Sequence, residues 1–265
     1  MRTTKAIFKK QLKATGANPE SLIQFMIYPL IALALNAMMG QEGMADGFVG
    51  YLAYLPLPQY VIDELASEMT LSMARAMPNM ITMQATIFAG MGIIPVVATI
   101  IADDIERKSL RFLSMAGVKP GAYLMGVGGV VFFLSFLSSM GFTLVGSFFG
   151  MDMLIFMGAM MSAVVGSIVL GATIGIMVSN VQSATGLAMP VAIVLGFGPI
   201  FAQMNDRIAR IYHITYTQQL NVIADYLNYG VSSTPLWQSF AIIWANVAVL
   251  AVLFALVYRK KGIVE

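Results

Sequence analysis

The chain contains no cysteine, a single histidine and few charges. Without cysteine there is neither a disulfide framework nor a thiolate metal site. The one histidine, His213, has no nucleophile or ligand cluster near it in sequence, so hydrolase and metal-site chemistry lack their parts. Charged residues make up 11% of the 265 positions, against roughly a quarter in soluble domains. The net charge of +2 is scattered over the termini and one internal loop, which leaves no basic face for a nucleic acid. No G-x-x-x-x-G-K-[ST] phosphate loop occurs, so the chain does not bind ATP by that mechanism. Fixed-period repeats, low-complexity tracts and linkers are also missing, and 1–265 reads as one domain.

What is present is apolar. A hydrophobic fraction of 58% and a mean hydropathy of +0.81 exceed what a water-soluble fold can bury, and imply an all-α integral membrane protein. Six nearly charge-free stretches predict membrane spans, at 21–39, 79–102, 122–146, 153–179, 184–203 and 236–258. The run 21–36 has the composition of a signal-peptide core but reads as a retained first span. Twelve Lys and Arg residues fall at the N-terminus, at 107–119 and at 259–261, whereas the other side holds only Arg75, Arg207 and Arg210. This asymmetry predicts both termini in the cytoplasm of a cell membrane, since basic residues of short loops stay inside.

Residues 1–18 predict an in-plane interfacial helix. Thr4, Ile7, Phe8, Gln11 and Leu12 fall on one arc, with Lys5, Lys9, Lys10 and Lys13 on the other. Asn18, Pro19 and Glu20 then read as N-cap, first helical position and dipole-matched acid of the next helix.

The segment 102–120 carries the most information. It predicts a short helix with Asp103, Asp104 and Glu106 in its first turn, and with Asp103/Arg107 and Asp104/Lys108 at the i,i+4 spacing. Gly117 supplies a left-handed stop, and Pro120 with Gly121 restarts the chain as helix. The apolar Leu110, Phe112, Leu113 and Met115 are in excess for a solvated loop and predict a partner surface.

Glu106, Arg107, Leu110, Leu113, Val118, Tyr123, Leu124 and Gly126 follow the pattern of the coupling region of type-2 ATP-binding-cassette (ABC) exporter permeases, which this segment resembles. Three positions depart from it: Gly117 stands where proline is usual, Ser109 where glycine is common and Val127 where a basic residue is usual. The resemblance implies a permease that exports a hydrophobic or amphipathic substrate, such as a peptide, lipid-like molecule or drug. It implies separate ABC ATPase subunits that carry the ATP and Mg, a second permease chain (a homodimer or a similar partner), and no cofactor or catalytic residue in this chain. The ATPase-coupling residues would be Asp103, Asp104, Glu106, Arg107, Lys108, Leu110, Arg111 and Leu113. The family points to a bacterial or archaeal cell membrane. A non-transporting scaffold, immunity or assembly factor is the alternative, and copurification of an ATPase separates the two.

The family also carries a broken re-entrant element between spans five and six. Here 204–235 either forms it or is an ordinary outer loop helix, with Pro199, Asn205 and Tyr212 as exit or gate residues in the first case. Pro29, Pro95, Pro190 and Pro199 free the carbonyls of Phe25, Met91, Gly186 and Leu195, which either opens a pathway or merely kinks passive helices. Gly171 and Gly175, and the group Gly126, Gly128 and Gly129, predict close helix packing. The 22 methionines fit either a surface that accepts varied ligands or simple membrane composition. Gln24, Asn36, Gln84, Gln182 and Asn246 are read as polar contacts between helices. No Asp, Glu, Lys or Arg falls inside a predicted span, which disfavours ion-coupled transport.

Overall fold

The computed structural model describes residues 2–17, 19–39, 58–109, 115, 117–118, 120–230 and 234–260. Among them no strand occurs, and the chain is built from helices throughout. The N-terminal pair is α1 (Arg2–Ala17) and α2 (Pro19–Met39). A long α3 (Gln59–Ile87) passes through one π-helical turn (Phe88–Gly92) into α4 (Ile94–Glu106). Four longer helices follow in sequence around a short pair: α5 (Pro120–Val145), α6 (Met151–Met177), α7 (Val181–Met204), α8 (Asp206–Tyr212), α9 (Tyr216–Tyr229) and α10 (Leu236–Lys260).

Five stretches are long and apolar enough to cross a membrane: Met80–Glu106, Gly121–Val145, Met151–Met177, Val181–Met204 and Leu236–Lys260. The chain is therefore an all-α multi-pass membrane protein. Each stretch coincides with a predicted span. The sixth prediction, 21–39, falls on α2, within which the described residues Phe25–Leu35 form an apolar helix.

One predicted loop is helical instead. Residues 40–78 read as an outer loop, yet α3 begins at Gln59 and runs unbroken into the span. Asp63, Glu64 and Glu68 give it the polarity of a loop, but they occupy exposed positions while Ile62 is buried, so the stretch is an amphipathic helix. Residues 40–57 lie outside the described residues.

α6 is the hub of the bundle. Phe156, Ala159, Met160, Ala163 and Val164 are completely enclosed, and α4, α5, α9 and α10 pack around it. Between membrane helices there is little hydrophobic driving force, so contact rests on close van der Waals fit. Glycine supplies that fit. A Cβ on Gly171 or Gly175 would stand 2.6 or 2.7 Å from the carbonyl oxygens of Ile94 and Ala98, so α6 lies directly against the backbone of α4. Along the other side of α4, Ala184, Ala188 and Ala192 of α7 form a fully enclosed ladder with Ala98 and Ala102. The contact continues to Gly90, where a Cβ would meet Gly196 of α7 at 2.6 Å.

The predicted arc of α1 is the one that is covered, with Ile7 buried and the four lysines exposed. Its cover is protein. A Cβ on Gly126 of α5 would stand 2.5 Å from Ile7, and one on Gly129 would stand 3.3 Å from the Phe8 ring. The arc docks on α5, where the Gly126 and Gly129 backbone leaves room for it. Pro19 opens α2 as predicted, while Asn18 lies outside the described residues.

Candidate functional site

Of the predicted coupling residues, Asp103, Asp104, Glu106, Arg107 and Lys108 lie at the end of the bundle that carries α1. Their secondary structure differs from the expected one. Asp103, Asp104 and Glu106 occupy the last turn of α4 rather than the first turn of a separate helix. After Pro95, which is tolerated at the start of α4, the run contains no breaker before Arg107, so each added residue gains a backbone hydrogen bond. The dipole preference that favours acids at a helix start is only about 0.3–1 kcal/mol and does not stop it. The helix ends at Arg107, whose N–H bonds the Asp103 carbonyl, and Lys108 turns away with a left-handed φ of 60°.

This placement puts acids where the helix dipole disfavours them, and each of the three has acquired donors. Asp103 accepts from Arg107 Nε at 2.8 Å, the i,i+4 pair predicted from the spacing. The hydrogen bond and charge of Asp103 raise the Arg107 guanidinium above its ordinary pKa, keeping it charged. The second predicted pair does not form, because the left-handed turn at Lys108 carries its side chain off the helix face. Asp104 is instead buried, and three elements converge on it. Tyr123 of α5 donates its hydroxyl to Oδ2 at 2.6 Å, Ser109 donates to Oδ1 at 2.7 Å, and Lys10 Nζ of α1 approaches Oδ1 at 3.8 Å. Glu106 reaches a fourth element: its Oε2 accepts the Val181 N–H at 3.0 Å, one of the unpaired donors at the start of α7. Asn180 caps the same end by accepting from the Ser183 N–H at 2.8 Å.

Leu110, Arg111 and Leu113 lie outside the described residues. Gly117 has the predicted left-handed conformation, φ 74°, and Met115 is exposed. Sequence reasoning missed Lys10, Ser109 and Val181 as partners. For Ser109 a signal existed, a hydroxyl just past an acidic helix end. For Lys10 and Val181 none did, since they lie 94 and 75 residues from their partners.

At the opposite end, the described residues of 204–235 form two consecutive helices, α8 and α9, joined by a turn at 213–215. Asn205 caps α8 by accepting the Arg207 N–H at 2.9 Å, and Asp206, Arg207 and Arg210 are exposed as predicted. Tyr212 turns back onto α7, where its ring fills the space a Cβ on Gly198 would need and its hydroxyl donates to the Val194 carbonyl at 3.0 Å. Tyr212 and the buried Pro199 thus lie at the same end of α7, while Asn205 acts as the cap at the other end of α8.

α9 then enters the bundle between α3, α6, α7 and α10. Tyr216, Leu220 and Ile223 are enclosed, and so are the polar Thr217, Gln219 and Asn221. The Tyr216 hydroxyl lies 2.8 Å from Ser167 Oγ, and Ser167 donates to the Ala89 carbonyl inside the π turn. Asn246 of α10 donates to the carbonyl of Ile214 at 2.7 Å, so it ties α10 to the turn between α8 and α9 rather than to another helix. His213 meets Thr234 at 3.3 Å and has no metal-ligating cluster around it among the described residues. Two chains of contact thus meet on α7: Glu106 holds its beginning, and α8 rests on its last turns.

Compared with protein-family models and with curated proteins, the chain matches none.

Proposed function

We propose that this chain is the permease subunit of an ATP-driven ABC exporter, with six spans, both termini in the cytoplasm and the ATPase on separate subunits. The observation that carries this reading is the convergence at Asp104 and Glu106. A short polar segment beside Arg107 and Lys108 is joined by side chains to the interfacial helix α1, to the start of α5 and to the start of α7. A push delivered there by a partner changes three helices together. α4 and α7, in contact from Ala102 to Gly90, transmit it as a unit to α8 and α9 at the other end.

The distribution of Lys and Arg supports the cytoplasmic assignment of that segment, because the end with Asp104 also holds Lys5, Lys9, Lys13, Arg259 and Lys260. α2 completes the count of spans, its Pro19 start lying on the same side as α1. In this reading α8 and α9 form the re-entrant element, and Tyr212 on Gly198 beside Pro199 forms the gate. A second permease chain supplies the other half of the pathway, and ATP with Mg is bound by the ATPase. The substrate is hydrophobic or amphipathic, consistent with the uncharged interior of the spans.

Affinity purification from the native membrane tests the reading. It is expected to recover an ATPase with a phosphate loop, and Glu106→Ala with Arg107→Ala is expected to abolish ATP-dependent export while the complex still assembles. Recovery of a partner without an ATPase would instead indicate a non-transporting scaffold, immunity or assembly factor.

A further inference from the structure

A cleft of about 420 Å³ runs between α2 and the second half of α5, along Phe25 to Leu33 of one helix and Leu134 to Val145 of the other. Its floor is closed. Pro29 packs against Gly141, where a Cβ would stand 3.0 Å from the proline Cβ, and the buried Ser138 hydroxyl donates to the Phe25 carbonyl at 2.6 Å. The polar atoms at the floor thus satisfy each other, and the lining holds no charged side chain. Its rim is open: Leu30, Leu137 and Leu144 are 54%, 50% and 69% exposed. Since α5 is long and apolar enough to cross the membrane, this mouth faces the hydrocarbon of the bilayer.

The dimensions decide what fits. The lined stretches rise by about 12 Å on α2 and about 16 Å on α5. Over a length of about 14 Å the volume of about 420 Å³ leaves a cross-section of about 30 Å², a channel about 6 Å wide. A helix with its side chains is about 10–12 Å across and does not enter it. An alkyl chain does: with carbon contacts of about 3.5–4.0 Å it is about 4–5 Å thick, whereas methyl branches widen it past a close fit. The length is also that of one leaflet, about half of the roughly 30 Å hydrocarbon core. The leaflet is the one away from Asp104, because Tyr123, which holds Asp104, lies at the other end of α5.

Lipid tails are as apolar as leucine, so burial alone does not draw a chain into the cleft. Contact does. An unfilled gap forfeits the dispersion energy of both walls, and a straight chain restores it along its whole length. We propose that this cleft binds one unbranched acyl chain of a bilayer phospholipid, in the leaflet opposite the Asp104 end. The site needs no ATPase and stands apart from the permease reading.

The test uses the full chain in nanodiscs with a trace of phosphatidylcholine whose unbranched palmitoyl chain carries a mid-chain diazirine. One host is diphytanoyl phosphatidylcholine, with methyl-branched chains; the other is dimyristoyl phosphatidylcholine, with straight ones. After irradiation, mass spectrometry compares adducts on Phe25–Leu33 and Leu134–Val145 with those on Val249 and Val252 of α10, which at 60% are as exposed as the rim of the cleft. The ratio of cleft to α10 adducts is expected to be about fivefold higher in the branched host, where the probe is the only straight chain, than in the straight-chain host. Leu30→Trp, which fills the cleft from its rim, is expected to abolish that difference while adducts on α10 stay unchanged. The same ratio in both hosts overturns the proposal and is read on the unmodified chain, without any variant. Persistence of the difference in Leu30→Trp also overturns it. So does a disulfide between copies carrying Leu137→Cys, in a chain with no other cysteine, because a second copy would then cover the cleft.

Discussion

Ser138 of α5 donates its hydroxyl at 2.6 Å to the carbonyl of Phe25 in α2, the carbonyl that Pro29 leaves without its helical N–H partner. The proline kink is thus completed by a neighbour, and the two helices are held together at the point where one of them is broken. Ser138→Ala is expected to cost about 0.6–1.7 kcal/mol, the range for hydrogen bonds between membrane helices. In a Pro29→Ala background the N–H restored to the backbone at that position can bond to the Phe25 carbonyl, and the cost of Ser138→Ala should shrink toward zero. Denaturant titration of the four variants of this cycle checks it; equal costs in both backgrounds contradict the pairing.

Glycine positions on the long helices differ sharply in what surrounds them. Gly171→Ala places a methyl 2.6 Å from the Ile94 carbonyl and is expected to destabilise by about 1–3 kcal/mol as α6 is pushed off α4. Gly186 on α7 has nothing within 4 Å of its Cβ position, so Gly186→Ala should be neutral or stabilising by up to about 1 kcal/mol from helix propensity. Thermal unfolding of the two variants in the same detergent gives the comparison.

Asp104 holds α1 through Lys10 and α5 through Tyr123. Asp104→Ala leaves the buried Tyr123 hydroxyl without its acceptor and should cost about 1–3 kcal/mol. It should also speed hydrogen exchange across Arg2–Ala17 more than in α6, because that helix loses its only described ion pair. Uniform protection in both helices would show that Ile7 and Phe8 alone hold α1 in place.

The contact between Gly198 and Tyr212 predicts a strongly non-additive pair. Gly198→Ala collides with the Tyr212 ring and should displace α8, lowering stability. Tyr212→Ala removes the obstacle, so adding Gly198→Ala to Tyr212→Ala should cost little. Additive losses in a double-mutant cycle rule out direct contact as the cause.

Much of this architecture is legible before folding. The five long apolar helices follow from hydropathy alone, and the close approach at Gly171 and Gly175 follows from their spacing. Three features were not legible, each for a physical reason. The start of α3 at Gln59 was hidden because Asp63, Glu64 and Glu68 give an amphipathic helix the overall polarity of a loop. The acids of α4 resemble a helix start because local dipole rules are weak; the tertiary donors that tolerate them at a helix end lie tens of residues away. Burial of α9 was masked by Thr217, Gln219 and Asn221, polar residues that ordinarily mark a surface. Its real signal was Tyr216, Leu220, Ile223 and Ala224, which repeat at helical spacing and are enclosed.

The π turn at Phe88–Gly92 has a consequence for what length changes the chain can absorb. A π turn accommodates one residue beyond the α-helical repeat, which advances everything after it by about 100° around the axis. The face that Ile94 and Ala98 present to Gly171 and Gly175 depends on that phase. Removing a single residue from the turn would take out the π bulge, leaving Pro95 as the one interruption between α3 and α4, and yet swing this face out of register with α6. The most regular version of this helix would be the one least able to assemble the bundle.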